Sequence, residues 1–149
     1  MLTEKDALGN TTTYTYTPNN KVKTKLTAQS AEDGLTYTLQ YMYNGMGQVV
    51  STTNANGVVT SVTYDALNNV LTKSVSQGDE TATIEVNTYD KAGNMLSQTD
   101  GNDNTVTYTY NALGKISSIT EPSDDSIAGN VITRKYALNG NVAYEINSL

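Results

Sequence analysis

The chain has 149 residues, the length of one ordinary domain, with a formal charge of −6 and only 37% hydrophobic residues. It contains no His, Cys, Phe or Trp, and its only aromatic is Tyr, which occurs eleven times. That excludes disulfides and thiolate metal sites, removes the usual catalytic base and the best nucleophile, and leaves none of the clustered basic charge that nucleic-acid binders carry.

Taken in chain order, the segments alternate between strand patterns and turn patterns. "DALGN" (6–10) reads as a short turn, and "TTTYTYT" follows with the period of two that marks a half-buried strand. From Tyr16, "YTPNNKV" is a second turn, and "QSAEDG" (29–34) a longer one. "GLTYTLQYMY" places Leu35, Tyr37, Leu39, Tyr41 and Tyr43 on one face, and leads into "YNGMGQV". "NANG" (54–57), the strand "VVTSVTY" and the turn "TYDALNNVL" (63–71) come next. "SQGDE" (76–80) reads as another long turn, then "YDKAGNM" from Tyr89 and the short "DGNDN" (100–104). In "TVTYTYN", Val106, Tyr108 and Tyr110 share one face, with Thr105, Thr107 and Thr109 on the other. "YNALGKI", the long "EPSDDSIAGN" (121–130), "YALNGNV" and "NVAYEIN" close the chain. No stretch sustains a helical period, and the abundance of Thr, Val and Tyr suits strands. The fold class is all-β: an antiparallel meander of roughly ten to twelve strands, built from repeated hairpins that form a twisted, curved sheet.

One motif recurs: Tyr, a small or acidic residue, two variable residues, Gly or Asn, a polar residue, an aliphatic. It is aligned on Tyr16, Tyr43, Tyr64, Tyr89, Tyr110 and Tyr136, at intervals of 27, 21, 25, 21 and 26. The alternation of short and long intervals predicts hairpins whose far turns are alternately tight and long. The fifth motif position is Asn20, Gly47, Asn68, Gly93, Gly114 or Gly140, the two residue types that enter positive φ most cheaply. A loop closing on a left-handed residue with a bulge is therefore expected. Asn44, Asp65, Asp90 and Asn111 can accept backbone N–H groups two residues on, Thr17 can do so weakly, and Ala137 cannot. The aliphatics Val22, Val49, Val70, Met95, Ile116 and Val142 should face the motif Tyr across each hairpin. Long far turns carry paired acids (Glu32 with Asp33, Asp79 with Glu80, Glu121 with Asp124 and Asp125), while Lys21, Lys23, Lys25, Lys91 and Lys115 lie nearer the motif turns or on strands, so one edge should be acidic.

"YDKAGNMLSQTDGNDNTVTYTYNALGKI" (89–116) closely resembles the YD repeat of the RHS and teneurin families, with Thr99–Asp100 as its Thr-Asp element and Thr107–Tyr110 as its closing strand. The resemblance covers nearly the whole of residues 1–149, as a single array of about five and a half copies. Two departures stand out: the Arg that follows Gly in the family pattern is Lys, Gln or Asn here, and the name-giving Asp survives only at Asp65 and Asp90. The resemblance implies a β-ribbon spiralling into the hollow shell of a very large secreted or cell-surface protein. Bacterial members enclose a C-terminal toxin segment, and animal members act in adhesion. The partners implied are neighbouring repeats of the same protein and an enclosed toxin polypeptide, and the array reads as a slice of a larger protein.

No catalytic, cofactor-binding or metal-binding residues are assigned, and no enzyme activity is expected. Paired acids such as Asp124–Asp125 and Glu32–Asp33, in exposed turns, would keep near-normal pKa values. "DGNDN" places Asp100, Asn102 and Asn104 at alternate positions with Asp103 beside them, as Ca²⁺ loops do, but the twelfth-position Glu is absent and a plain turn explains it. Asn10-Thr11-Thr12 matches a glycosylation sequon of a kind that chance supplies in an Asn/Thr-rich chain. Rows of Tyr and Asn also allow a carbohydrate-binding or adhesive module, a reading that gains if the Tyr faces are open. No apolar run approaches a membrane span, and no apolar segment follows Met1. The outermost strands lack strong edge defences, so the isolated segment is expected to associate edge to edge.

Overall fold

The computed structural model describes residues 1–28, 36–123, 129–137 and 140–148, and among these there are strands and turns but no helix. The strands in chain order are β1 (Leu2–Lys5), β2 (Thr11–Tyr16), β3 (Val22–Ala28), β4 (Thr36–Tyr43), β5 (Val49–Thr53), β6 (Val59–Tyr64) and β7 (Val70–Gln77). They continue with β8 (Glu80–Tyr89), β9 (Met95–Asp100), β10 (Thr105–Tyr110), β11 (Ile116–Thr120), β12 (Val131–Tyr136) and β13 (Val142–Asn147). All thirteen lie in one open antiparallel sheet in sequence order, a pure meander. The count exceeds the expected ten to twelve: "TTTYTYT" is not the first strand, because Leu2–Lys5 pairs ahead of it through Lys5↔Thr11 to Leu2↔Tyr14.

Two compact units make up the chain, Met1–Thr63 with Lys73–Ala82, and Tyr64–Thr72 with Thr83–Leu149. In the first, β1 to β6 pair successively. In the second, β8 to β13 do the same. Threonine and serine hydroxyls bond directly across the strands: Thr15 to Thr24, Thr88 to Ser97 at 2.6 Å, Thr99 to Thr105 at 2.8 Å and Thr109 to Ser118 at 2.7 Å. Each is a register pair, and such cross-strand pairs are worth roughly 0.2–1 kcal/mol. They explain why Thr is so frequent. Among the described residues no apolar side chain is fully buried; the two buried residues are Asn87 and Asn130.

The far turns depart from expectation in one place. "SQGDE" is not a long turn: β7 ends at Gln77 and β8 starts at Glu80, leaving Gly78 and Asp79 as the whole connection. Gly78 takes φ 60°, which a two-residue hairpin led by Gly requires. The 25-residue interval from Tyr64 to Tyr89 comes instead from long strands, eight residues in β7 and ten in β8. The 121–130 turn is long, and is closed where the Glu121 N–H donates to the Asn130 carbonyl at 2.8 Å. Of the expected acidic far edge, Asp79, Glu80 and Glu121 are exposed; Glu32, Asp33, Asp124 and Asp125 lie outside the described residues.

Candidate functional site

The motif turns are where the repeat concentrates its polar chemistry. Each spans five residues between a register pair: Tyr16↔Val22, Tyr43↔Val49, Tyr89↔Met95, Tyr110↔Ile116 and Tyr136↔Val142. The expected Tyr–aliphatic pairing is therefore present in all five. Immediately inside each pair the register shifts, leaving Lys23, Val50, Leu96, Ser117 or Ala143 as an extra residue, the expected β-bulge.

The loop is held by its first residue. In the Asp90 loop the backbone N–H of Ala92 and of Asn94 donate to Asp90 Oδ1 at 2.8 and 2.9 Å, and Asn94 Nδ2 donates to Oδ2 at 2.8 Å. Asp65 receives the same three bonds from Leu67 and Asn69, and Asn44 and Asn111 accept the two backbone bonds. Thr17 manages one, from Lys21 N. The Asn donors, first the side-chain amide, hold the Asp65 and Asp90 carboxyls below the usual carboxylate range. The fifth residues all take positive φ: Asn20 59°, Gly47 81°, Asn68 71°, Gly93 85°, Gly114 72° and Gly140 80°.

Sequence reasoning missed how the tyrosine hydroxyls are used. Tyr43 Oη donates to the Val22 carbonyl at 2.6 Å, Tyr89 to Val70 at 2.9 Å, Tyr110 to Met95 at 2.7 Å and Tyr136 to Ile116 at 2.6 Å. Every acceptor is the aliphatic six residues beyond the preceding motif Tyr. Four hairpins thus hand a hydroxyl to their predecessors, and at Val22, Met95 and Ile116 the acceptor lies at a bulge, where the strand ladder is interrupted and a carbonyl is left over. Desolvation raises the Tyr89 and Tyr110 hydroxyl pKa values, with a smaller push from neighbouring groups, Glu85 and Asp65 at Tyr89 and Tyr108 and Asp90 at Tyr110. A signal was available: eleven Tyr and no Phe mean that the ring alone does not suffice.

The position where the family pattern writes Arg has two local solutions. Asn69 and Asn94 turn inward onto their own loop's Asp, and Gln48 accepts from Asn44 Nδ2 at 2.7 Å. Lys21 and Lys115 instead reach the next loop. Lys21 Nζ donates to the Gly47 carbonyl at 2.9 Å and lies 5.6 Å from the Tyr43 ring centroid. Lys115 Nζ donates to the Gly140 carbonyl and lies 5.3 Å from the Tyr136 centroid. A lysine between successive motif loops is thus a second tie, at the same repeat step in each unit.

The calcium-like stretch resolves into the same loop. Asp100 Oδ1 accepts from Asn102 N and Asn104 N, and Oδ2 from Asn104 Nδ2 at 3.0 Å, with Asp103 at φ 64°. Both Asp100 carboxylate oxygens accept bonds from the turn itself, as those of Asp6 and Asp90 do. Open grooves flank the motif loops, one lined by Asn19, Lys23, Tyr41, Met42 and Tyr43, the other by Leu113, Ser117, Arg134, Lys135 and Tyr136.

The teneurin YD-shell profile matches residues 9–143. The chain belongs to the teneurin YD-shell family. Among solved structures, the TcdB2–TccC3–TEV crystal structure superposes with a TM-score of 0.79 at 19% identity, over 98% of this chain and 8% of that one. The TcdB2–TccC3 crystal structure gives 0.77 at 18% identity over 93% of this chain and 8% of that one. The Photorhabdus luminescens Tc holotoxin pore gives 0.76 at 18% over the same shares. At these identities the likeness is one of fold, and the YD-shell chain spans about 8% of the length of these structures. No sequence among the curated proteins matches.

Proposed function

We propose that this array is a wall segment of a shell enclosing a toxin polypeptide in a large secreted or surface protein, with no catalytic or metal chemistry of its own. The observation that carries it is the recurrent bond from four of the six motif tyrosines, Tyr43, Tyr89, Tyr110 and Tyr136, to a carbonyl of the hairpin before, which makes one hairpin a docking template for the next. Such a device extends a sheet in one direction and needs no ligand. Toxin-complex proteins of the same fold support the enclosed polypeptide as partner, alongside neighbouring repeats within residues 1–149 and beyond. The test is passenger protection. In the full-length protein carrying this array, the enclosed segment should resist protease, and combined Tyr43→Phe, Tyr89→Phe, Tyr110→Phe and Tyr136→Phe should speed its digestion. A passenger digested equally fast with either array would overturn the wall reading.

A glycan-binding role rests on the open grooves beside Tyr43 and Tyr136, whose half-exposed rings could stack on sugars. A glycan array probed with the isolated chain separates it from the wall role. In isolation, the open end of the sheet pairs with another chain.

A further inference from the structure

The sixth motif residue differs from loop to loop, and the room left at the next loop's fifth residue differs with it. In sequence, Lys21 precedes Gly47, Gln48 precedes Asn68, Asn69 precedes Gly93, Asn94 precedes Gly114 and Lys115 precedes Gly140. The four glycines share one backbone conformation, with φ of 81°, 85°, 72° and 80° in that order, so a Cβ added at each would leave its loop in the same direction. What it would meet is not the same. At Gly47 it would stand 2.5 Å from Lys21 Nζ, and at Gly140 2.9 Å from Lys115 Nζ, both well inside van der Waals distance. At Gly93 it would meet only the Asn69 amide, at an ordinary 3.6 Å, and at Gly114 nothing within 4 Å. Side-chain reach explains the difference. Asn69 and Asn94 are held by their own loops' Asp65 and Asp90, whereas each lysine crosses to the next loop's carbonyl and fills the space beside its fifth residue. Asn68, the one fifth residue in these steps that carries a Cβ, follows Gln48, which bonds to its own loop's Asn44.

We propose that the sixth motif residue is a specificity determinant between successive repeats: a lysine there ties two loops together only where the next fifth residue is Gly, while an inward-bonded Asn or Gln leaves that position open to Gly or Asn. This rests on the reading of the array as a wall of hairpins fastened in turn, and adds a matching rule to it. The fifth-position Gly then has two separate grounds. Positive φ favours Gly or Asn at every loop, and the lysine disfavours Asn at Gly47 and Gly140 alone. Asn at either position would push the ammonium off the glycine carbonyl and away from the Tyr43 or Tyr136 ring, since the lysine arm is the movable partner. The loop survives such a change, and the tie between hairpins is lost. Neither repeat sets this contact by itself, so it limits which repeat can follow which.

The experiment is a double-mutant cycle on the chain, read by urea unfolding. Gly47→Asn should lower the folding equilibrium constant about two- to fivefold more beside Lys21 than beside Lys21→Ala, which clears the space. Gly114→Asn beside Asn94 should carry no such extra loss. Asn94→Lys should transfer the coupling, so that Gly114→Asn then costs the same additional factor. A second readout does not depend on stability. The Lys21 ε-methylene protons, held near the Tyr43 ring, should have NMR shifts that move toward those of a free lysine in Gly47→Asn. Equal losses with Lys or Ala at position 21, an unmoved Lys21 methylene, or no coupling at Gly114 in the Asn94→Lys chain would each overturn the rule. Passenger protection in the full-length protein turns on the tyrosine variants, so the wall reading stands or falls separately.

Discussion

The two ends of each hairpin use one loop for two purposes. The far turns Asp6–Asn10, Asn54–Val58 and Asp100–Asn104 have the same backbone bonds as the motif turns: the first residue's N–H donates to the fifth's carbonyl, and the fourth's N–H to the first's. They have the same left-handed fourth residue, at Gly9, Gly57 and Asp103. Yet the far ends carry no register shift: Lys5↔Thr11, Thr53↔Val59 and Thr99↔Thr105 continue their ladders without an extra residue. In these hairpins the bulge lies beside the motif turns and not the far ones, and with it come the hydroxyl ladder and the lysine ties. A turn by itself reverses the chain. The bulge frees a carbonyl, and the freed carbonyl lets one hairpin fasten the next.

The largest expected effect tests the sameness of the loops. Gly114→Val at the motif end and Gly57→Val at the far end should each destabilise by about 1–2 kcal/mol, because positive φ opposes a β-branched side chain. A Cβ at either glycine meets no atom within 4 Å, so the loss is purely one of backbone conformation. Asn at these sites should cost much less, since Asn20 and Asn68 already hold that conformation. Urea unfolding that separates the two Val variants widely, or that ranks Asn with Val, would break the equivalence.

A smaller effect tests the difference between the ends. Tyr110→Phe removes the donor to the Met95 carbonyl and should lower stability by about 1 kcal/mol. Tyr108→Phe, on the same strand and with no side-chain bond among the described residues, should shift it by no more than a few tenths. Equal denaturation midpoints for the two variants would deny the ladder an energetic role. Smaller again is Lys115→Met, which gives up a carbonyl bond and a cation–π contact and should lose about 0.5 kcal/mol, reduced further by high salt.

The weakest test is acid, because it acts on both ends alike. Asp6 and Asp100 at far turns, and Asp65 and Asp90 at motif turns, all have carboxyls held below the usual range by Asn donors. A depressed folded pKa contributes stability above the unfolded carboxylate value, and that stability is lost as pH falls through the folded values. Unfolding midpoints should therefore drop below about pH 4, and changing all four Asp to Asn should flatten that drop. A chain that loses as much stability in acid without the four carboxylates would put the sensitivity elsewhere.

Much of this was legible in the sequence because turns are local. Gly or Asn at the fifth motif position, Asp or Asn at the second and the aliphatic beyond them fix loop, cap and cross-strand partner within seven residues. The bulge followed from the same loop chemistry. Three features were not legible. The equivalence of "DALGN", "NANG" and "DGNDN" to the motif loop was hidden because no Tyr precedes them. The two-residue turn at Gly78–Asp79 was hidden because strand length and turn length trade against each other within one interval. The hydroxyl ladder joins residues about twenty apart on neighbouring hairpins, a relation that no local pattern states, although the exclusive use of Tyr pointed to it.

The central claim is that the motif end fastens one hairpin to the next while the far end only reverses the chain. Native-state amide hydrogen exchange on the chain carrying Tyr43→Phe, Tyr89→Phe, Tyr110→Phe and Tyr136→Phe tests it most directly. The predicted result is a loss of protection concentrated in the amides flanking the motif turns, with those flanking Asn54–Val58 and Asp100–Asn104 retaining theirs. Protection lost evenly at both ends, or at neither, would contradict it.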